Sequence, residues 1–281
     1  MAKAPSFWRT ILLDNVHQCG TGYVDTCYLS FTSSFRVLEI SRFDFQTGER
    51  KSARKHLITS HYDAAVCAQG KIYLFQGGQP KVEIRDGSSE NVIATLTSHY
   101  QIWELCVDSK FILHASGRTC AIYSHCGMLQ AQWTIGDSFY ITAVCTNNRD
   151  TIFIAVFEGL IYKFSLDGIY LGVFNVLEIL STTPGFGIPA DSLWGVSLAF
   201  DPTMDWLYLG GATKNHAFVV FDARGAVIHF EPTGSIGRND ILFDESGWFV
   251  KSLDITSKRE LLISEYAGLL RNRIRVFQLP S

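Results

Sequence analysis

The sequence predicts an all-β fold: a closed β-propeller of about six four-stranded antiparallel blades, with an N-terminal strand completing the last one. Three observations carry this expectation. Short apolar runs end at a turn glycine, at Gly48, Gly87, Gly127, Gly168 and Gly225. The first three intervals are 39, 40 and 41 residues, and the fourth, 57, fits one period plus an insertion. A cysteine recurs on a second register, as Cys27, Cys67, Cys106 and Cys145, at intervals of 40, 39 and 39 residues. The runs themselves are short and rich in β-branched and aromatic residues. Nowhere is there the amphipathic pattern of about ten or more residues that a βαβ fold requires.

The unit spanning 140–174 is the clearest. Its runs YITAVCTN, TIFIAVF, LIYKFSLDG and YLGVF read as four strands joined at NNRD, EG and DG, all favourable turn chemistry. Alternation sets Phe164 and Leu166 on one face and Ser165 on the other. The same reading places blades near 22–58, 62–97, 101–135, 139–175, 193–230 and 247–280, in one domain over 1–281. The last unit has three strands, and the run RTILLD at 9–14 is a spare one. Pairing them closes the ring and removes an open sheet edge. Radial stacking buries both faces of each blade, which accounts for a composition that is 47% hydrophobic with 20 Phe.

With 24 Lys and Arg against 27 Asp and Glu, the chain lacks the basic footprint of a nucleic-acid binder. The one basic cluster, Arg50, Lys51, Arg54, Lys55 and His56, reads as a solvated hairpin end. No apolar run reaches the roughly 18–20 residues that cross a bilayer. The run before Asp14 is too short for the core of a secretion signal. A cytoplasmic location is expected, with reduced thiols that pack as small hydrophobes at the repeat positions. Cys120, Cys126 and His125, or His17 with Cys19, lack the spacing of a structural zinc site; neither metal nor cofactor is expected.

The segments NRIRVFQL (272–279) and IYKFSLDGIYLGVF (161–174) resemble the third strand and turn of NHL-type six-bladed propellers. LITSHYDAAVC and LTSHYQIWELC resemble the opening of a WD40 blade, with Ser60-His61 and Ser98-His99 where that family carries Gly-His. Ile84-Arg85 and Ile122-Tyr123 stand where its closing Trp-Asp would be. The resemblance implies a propeller over nearly the whole chain. Some six-bladed propellers are calcium-dependent lactonases or esterases, which makes a hydrolase of that type the enzymatic alternative. Against it, Asp63, Glu104, Asp191 and Asp254 repeat no ligand pattern, and no nucleophile elbow, metalloprotease helix or phosphate loop occurs.

The expected function is therefore a non-catalytic scaffold for a protein partner, binding neither nucleic acid nor membrane. His61-Tyr62 and His99-Tyr100 are 38 residues apart and so occupy equivalent points of successive blades. With Phe139, Tyr140, Trp194 and Trp248 they precede or open first strands, where aromatics either line a binding rim or plug gaps between blades. Two long connections, 175–192 and 231–247, would either expose Phe186 and Phe243 as an adhesive patch or fold back as a lid.

Overall fold

Antiparallel strands joined by tight turns make up nearly every described element. The computed structural model describes residues 5–13, 18–24, 27–34, 36–44, 46–58, 62, 64–136, 140–186, 193, 196–211, 216–232, 249–267 and 271–280. The chain opens with β1 (Ser6–Leu13). Blade 1 follows as β2 (Gln18–Val24), β3 (Cys27–Ser34), β4 (Val37–Asp44) and β5 (Arg50–Leu57). Blade 2 is β6 (Ala64–Ala68), β7 (Lys71–Phe75), β8 (Gln79–Asp86) and β9 (Val92–Ile102). Blade 3 is β10 (Glu104–Val107), β11 (Ile112–Ser116), β12 (Thr119–Tyr123) and β13 (Leu129–Thr134). Blade 4 is β14 (Ile141–Thr146), β15 (Thr151–Val156), β16 (Leu160–Ser165) and β17 (Tyr170–Asn175), and the helix α1 (Val176–Thr182) leads out of it. Blade 5 is β18 (Ser197–Asp201), β19 (Trp206–Gly210), β20 (His216–Phe221) and β21 (Val227–Pro232). Blade 6 is β22 (Phe249–Ile255), β23 (Glu260–Ala267) and β24 (Arg271–Gln278), with β1 as its outermost strand.

The fold is thus a propeller of six four-stranded antiparallel blades, closed by the N-terminal strand. β1 runs antiparallel to β24, from Ser6 opposite Gln278 to Leu13 opposite Asn272. The innermost strands adjoin one another in order, and β22 returns to meet β2. Each seam between blades holds its own apolar cluster. Leu29, Phe31 and Ile40 meet Ile72 and Leu74 between blades 1 and 2, and Phe153 and Ile161 meet Leu198 and Phe221 between blades 4 and 5. Tyr28 and Phe43 meet Leu262, Ile274 and Val276 where blade 6 returns to blade 1. Polar links reinforce the face that carries the turns between first and second strands. Gln69 Nε2 donates to Asp108 O (3.1 Å), Thr146 Oγ1 to Asp108 Oδ2 (2.9 Å), and Arg259 Nη2 to Asp201 Oδ2 (2.7 Å).

The repeating glycines have two physical reasons. Gly127, Gly168 and Gly225 have φ of 87°, 78° and 88°, which disfavours any side chain. Each also packs under an outer strand of the preceding blade. A Cβ at these glycines would lie 3.9 Å from Leu96, 2.9 Å from Trp133 and 3.0 Å from Phe174 respectively. Between blades 1 and 2 the contact is polar instead. Arg42 Nε and His56 Nε2 hold the fully buried Glu90 carboxylate at 2.7 and 2.8 Å, and Arg42 also donates to Gly87 O.

One part of the repeat reading needs correction. Cys67, Cys106 and Cys145 stand on innermost strands, but Cys27 opens β3, opposite Val24 on β2. The forty-residue count reaches Cys27 because it registers residues, whereas the innermost strand of blade 1 begins earlier, at Gln18. The long connection after blade 4 begins with α1. Asn175 Oδ1 caps the helix by accepting from the Glu178 N–H (3.1 Å), and Val176 and Leu180 are buried.

Gly168→Ala is expected to cost about 2–3 kcal/mol, combining a left-handed φ with the collision against Trp133. Gly117→Ala, at φ 56° with nothing within 4 Å of its Cβ, is expected to cost only about 1 kcal/mol. Urea denaturation of both variants checks this, and equal losses would show that the seam yields freely.

Candidate functional site

In an antiparallel meander the connections between blades share one face with the turns between second and third strands. On blades 2 to 4 that face is aromatic. Trp103, between β9 and β10, Tyr140, ahead of β14, and Phe157, in the β15–β16 turn, are 40 to 65% exposed. Trp103 is held in place: its N–H donates to Ala115 O (2.9 Å), and its ring lies over Gly78, where a Cβ would come within 3.2 Å. Tyr140 O accepts from the Phe157 N–H (2.9 Å), so the two exposed rings belong to one hydrogen-bonded corner.

The sequence-expected residues divide three ways. His99 is exposed, and its backbone N–H donates to Tyr123 Oη (3.2 Å). Tyr100 is half-buried, with Oη donating to Gln132 Oε1 (2.8 Å). Tyr140 stands on the aromatic face, whereas Tyr100 packs against the apolar seam of blades 2 and 3. Tyr62 is buried in the seam of blades 1 and 2, where desolvation, then a hydrogen bond to Glu83, pushes its phenol up. It fills a gap rather than forming part of a rim. Phe186 is likewise buried; it packs edge-on to Phe230 (5.5 Å between centroids) in the seam of blades 4 and 5. The expected exposed patch at Phe186 is corrected accordingly: its ring is buried because an apolar seam is available to it. His61, Phe139, Trp194, Trp248 and Phe243 lie outside the described residues. Sequence reasoning passed over Trp103 and Phe157. The Gly77-Gly78 pair, which leaves room for a ring, was the available signal for Trp103.

The aromatic face is supported from below. Tyr123 Oη lies 3.1 Å from Ser98 Oγ, and the Tyr123 ring stacks on His114 (4.6 Å, 29°). His114 is buried, and neither ring nitrogen has a hydrogen-bond partner among the described residues. Desolvation lowers its pKa to about 4, so it is a neutral core ring.

The channel formed by the innermost strands carries the other chemistry. Glu104 on β10 and Asp254 on β22 project from blades on opposite sides of the ring. Each is half-buried, and desolvation pushes Glu104 up to about 8 and Asp254 up to about 7. Burial, then the negative charge of Asp108, pushes Cys106 up to about 12, and Asp254 adds to this from across the channel. Burial also raises Cys67 and Cys145. These thiols are protonated and poorly nucleophilic at neutral pH. Among the described residues no three His, Cys, Asp or Glu side chains come together in a group able to hold a metal. Also among the described residues, no helix is long and apolar enough to cross a membrane, and the six cysteines are free.

The signs of the two pH effects are opposite. A carboxyl whose folded pKa is raised contributes stability below its unfolded value and loses it as pH rises, here from about 4.5 through 8 for Glu104. Glu104→Gln is therefore expected to be nearly neutral at pH 5 and stabilising at pH 9, by on the order of 2 kcal/mol. His114, with a lowered pKa, contributes above 6.5 and loses that contribution as pH falls through 4. His114→Phe should flatten that acid limb. Denaturation midpoints of both variants across pH 4 to 9 test these signs. Unchanged profiles would mean that water hydrates both groups. No protein-family model and no curated protein matches the chain.

Proposed function

We propose that this propeller is a non-catalytic scaffold that binds a protein partner through the aromatic face of blades 2 to 4. The observation that carries the reading is the exposure of Trp103, Tyr140 and Phe157 on one face of a ring whose described seams are otherwise packed. Exposed aromatics held by a rigid backbone lose little entropy on binding and are the residue types that dominate interface energies. The six cysteines among the described residues are free, which accords with a reducing compartment, and a cytoplasmic location belongs to the same proposal. So does the NHL-like character of 161–174 and 272–279, as a description of blade type.

A calcium-dependent hydrolase is the second reading, favoured only by Glu104 and Asp254 in the channel. Among the described residues, however, neither carboxyl gathers with two further His, Cys, Asp or Glu side chains into a group able to hold a cation.

The test is capture from native lysate with the tagged protein and with a Trp103→Ala, Tyr140→Ala, Phe157→Ala variant whose thermal midpoint is unchanged. A partner retained by the parent and lost by the variant is the expected result. Equal retention by both would move the binding surface off this face. Calcium-dependent ester hydrolysis abolished by Asp254→Asn would replace the scaffold reading with the hydrolase.

A further inference from the structure

The outer strand of blade 4 is unlike that of blade 1. β17 ends its sheet, and among the described residues no strand pairs with its outer edge. The stretch GIYLGVFNVL, 168–177, carries no charge, and Ile169, Tyr170, Leu171 and Val173 are 41 to 63% exposed. Such an edge is a template for strand addition, which sheets ordinarily block with charge or proline. β5 does so with Arg50, Lys51, Arg54 and Lys55, all exposed. Gly172, at φ 150°, bares the backbone in the middle of β17; only Lys163 Cε comes within 4 Å of its Cβ position. A glycine inside a strand permits close approach of another backbone. Beside it Tyr170 stands with Tyr162 and Phe164, at centroid distances of 6.3 and 6.0 Å, forming a ledge against Trp133 of blade 3.

The charges around this edge select its occupant. Exposed Asp167 precedes the neutral stretch and exposed Glu178 follows it, while Glu158 lies close enough to help raise the Tyr162 phenol. Lys163 is drawn to blade 5, where Nζ donates to Ala223 O (3.2 Å), and Gly225 of the same turn packs against Phe174. A second copy of β17, parallel or antiparallel, would set acidic ends against acidic ends. A strand with basic ends would meet complementary charge at both.

We propose that β17 docks an extended apolar segment of a partner protein whose two ends carry Lys or Arg, added as a fifth strand to blade 4.

The probe is a fluorescein-labelled peptide of six alternating Val and Thr with two Lys at each end, alongside a twin ending in Glu. Full-length protein is titrated against both at fixed salt. The Lys-ended peptide is expected to bind at least tenfold more tightly than its twin. It should lose at least tenfold with Leu171→Lys, a variant checked for folding by its thermal midpoint, and should be unaffected by Ile93→Lys on the outer strand of blade 2. Amide exchange over 170–175 should slow on binding. Absence of binding, equal affinity for the two peptides, or retention by Leu171→Lys overturns the proposal. So does a concentration-dependent dimer dispersed by Leu171→Lys, which would assign the edge to a second copy.

Discussion

Antiparallel pairing of β1 with β24 is the constraint on which the rest of the molecule depends. It joins the first and last described strands into one sheet, at a chain-entropy cost that grows only slowly with the length enclosed. Once blade 6 is complete, each blade has a neighbour on both faces and each seam becomes a core. Blade 6 is also where buried charge gathers. Glu265 is held by Arg273 Nε (2.6 Å) and Arg275 Nη2 (2.7 Å), and Tyr28 Oη of blade 1 reaches Glu260 (3.4 Å). Such groups add little net stability over an apolar packing. Removing one partner strands the other, so they penalise any register of β24 but the observed one.

Closure also determines what the inner strands can do chemically. Six first strands converge on one axis, and Glu104 and Asp254 there are crowded by protein, whereas Lys251 on β22 is exposed. Glu104 and Asp254 are raised for this reason, and so is Cys106. The environment suppresses charge on these groups and thereby suppresses nucleophiles, while the exposed rings of the aromatic face on blades 2 to 4 are uncharged and can be covered without that cost. Physical chemistry therefore separates the molecule into an axis that resists ionisation and a rim suited to contact.

The features legible in the sequence were those fixed locally. The turn glycines stood out because a positive φ is a requirement of the residue itself, and the spare N-terminal strand because the last unit lacked one. Even α1 left a local trace in Asn175 and Glu178, a capping pair three residues apart. What remained hidden depends on distant parts of the chain. Phe186 is buried because Phe230 of blade 5 lies against it, and Tyr62 because Glu83 receives its hydroxyl in the seam. His114 resembles any other strand histidine until Tyr123 stacks on it. The cysteine period succeeded for blades 2 to 4 and failed for blade 1, since an equal spacing in residues does not guarantee an equal place in the ladder.

A closed ring abolishes edges at its axis but leaves the outer edge of every blade exposed to pairing. The chain treats these edges unequally: β5 is charged, and β13 shows Gln130 and Gln132 to solvent. β17 has neither device, and places a glycine and three half-exposed apolar residues, Tyr170, Leu171 and Val173, where a gatekeeper would serve solubility. Local propensity does not require this, because Lys or Thr at Leu171 would suit an outer strand equally well. The seam does not require it either, since Phe164 and Trp133 already fill the space behind. Other outer strands also expose apolar residues, Val92 and Ile93 on β9 among them, but β17 combines them with a bared glycine, and the acids at its two ends favour a covering strand with basic termini.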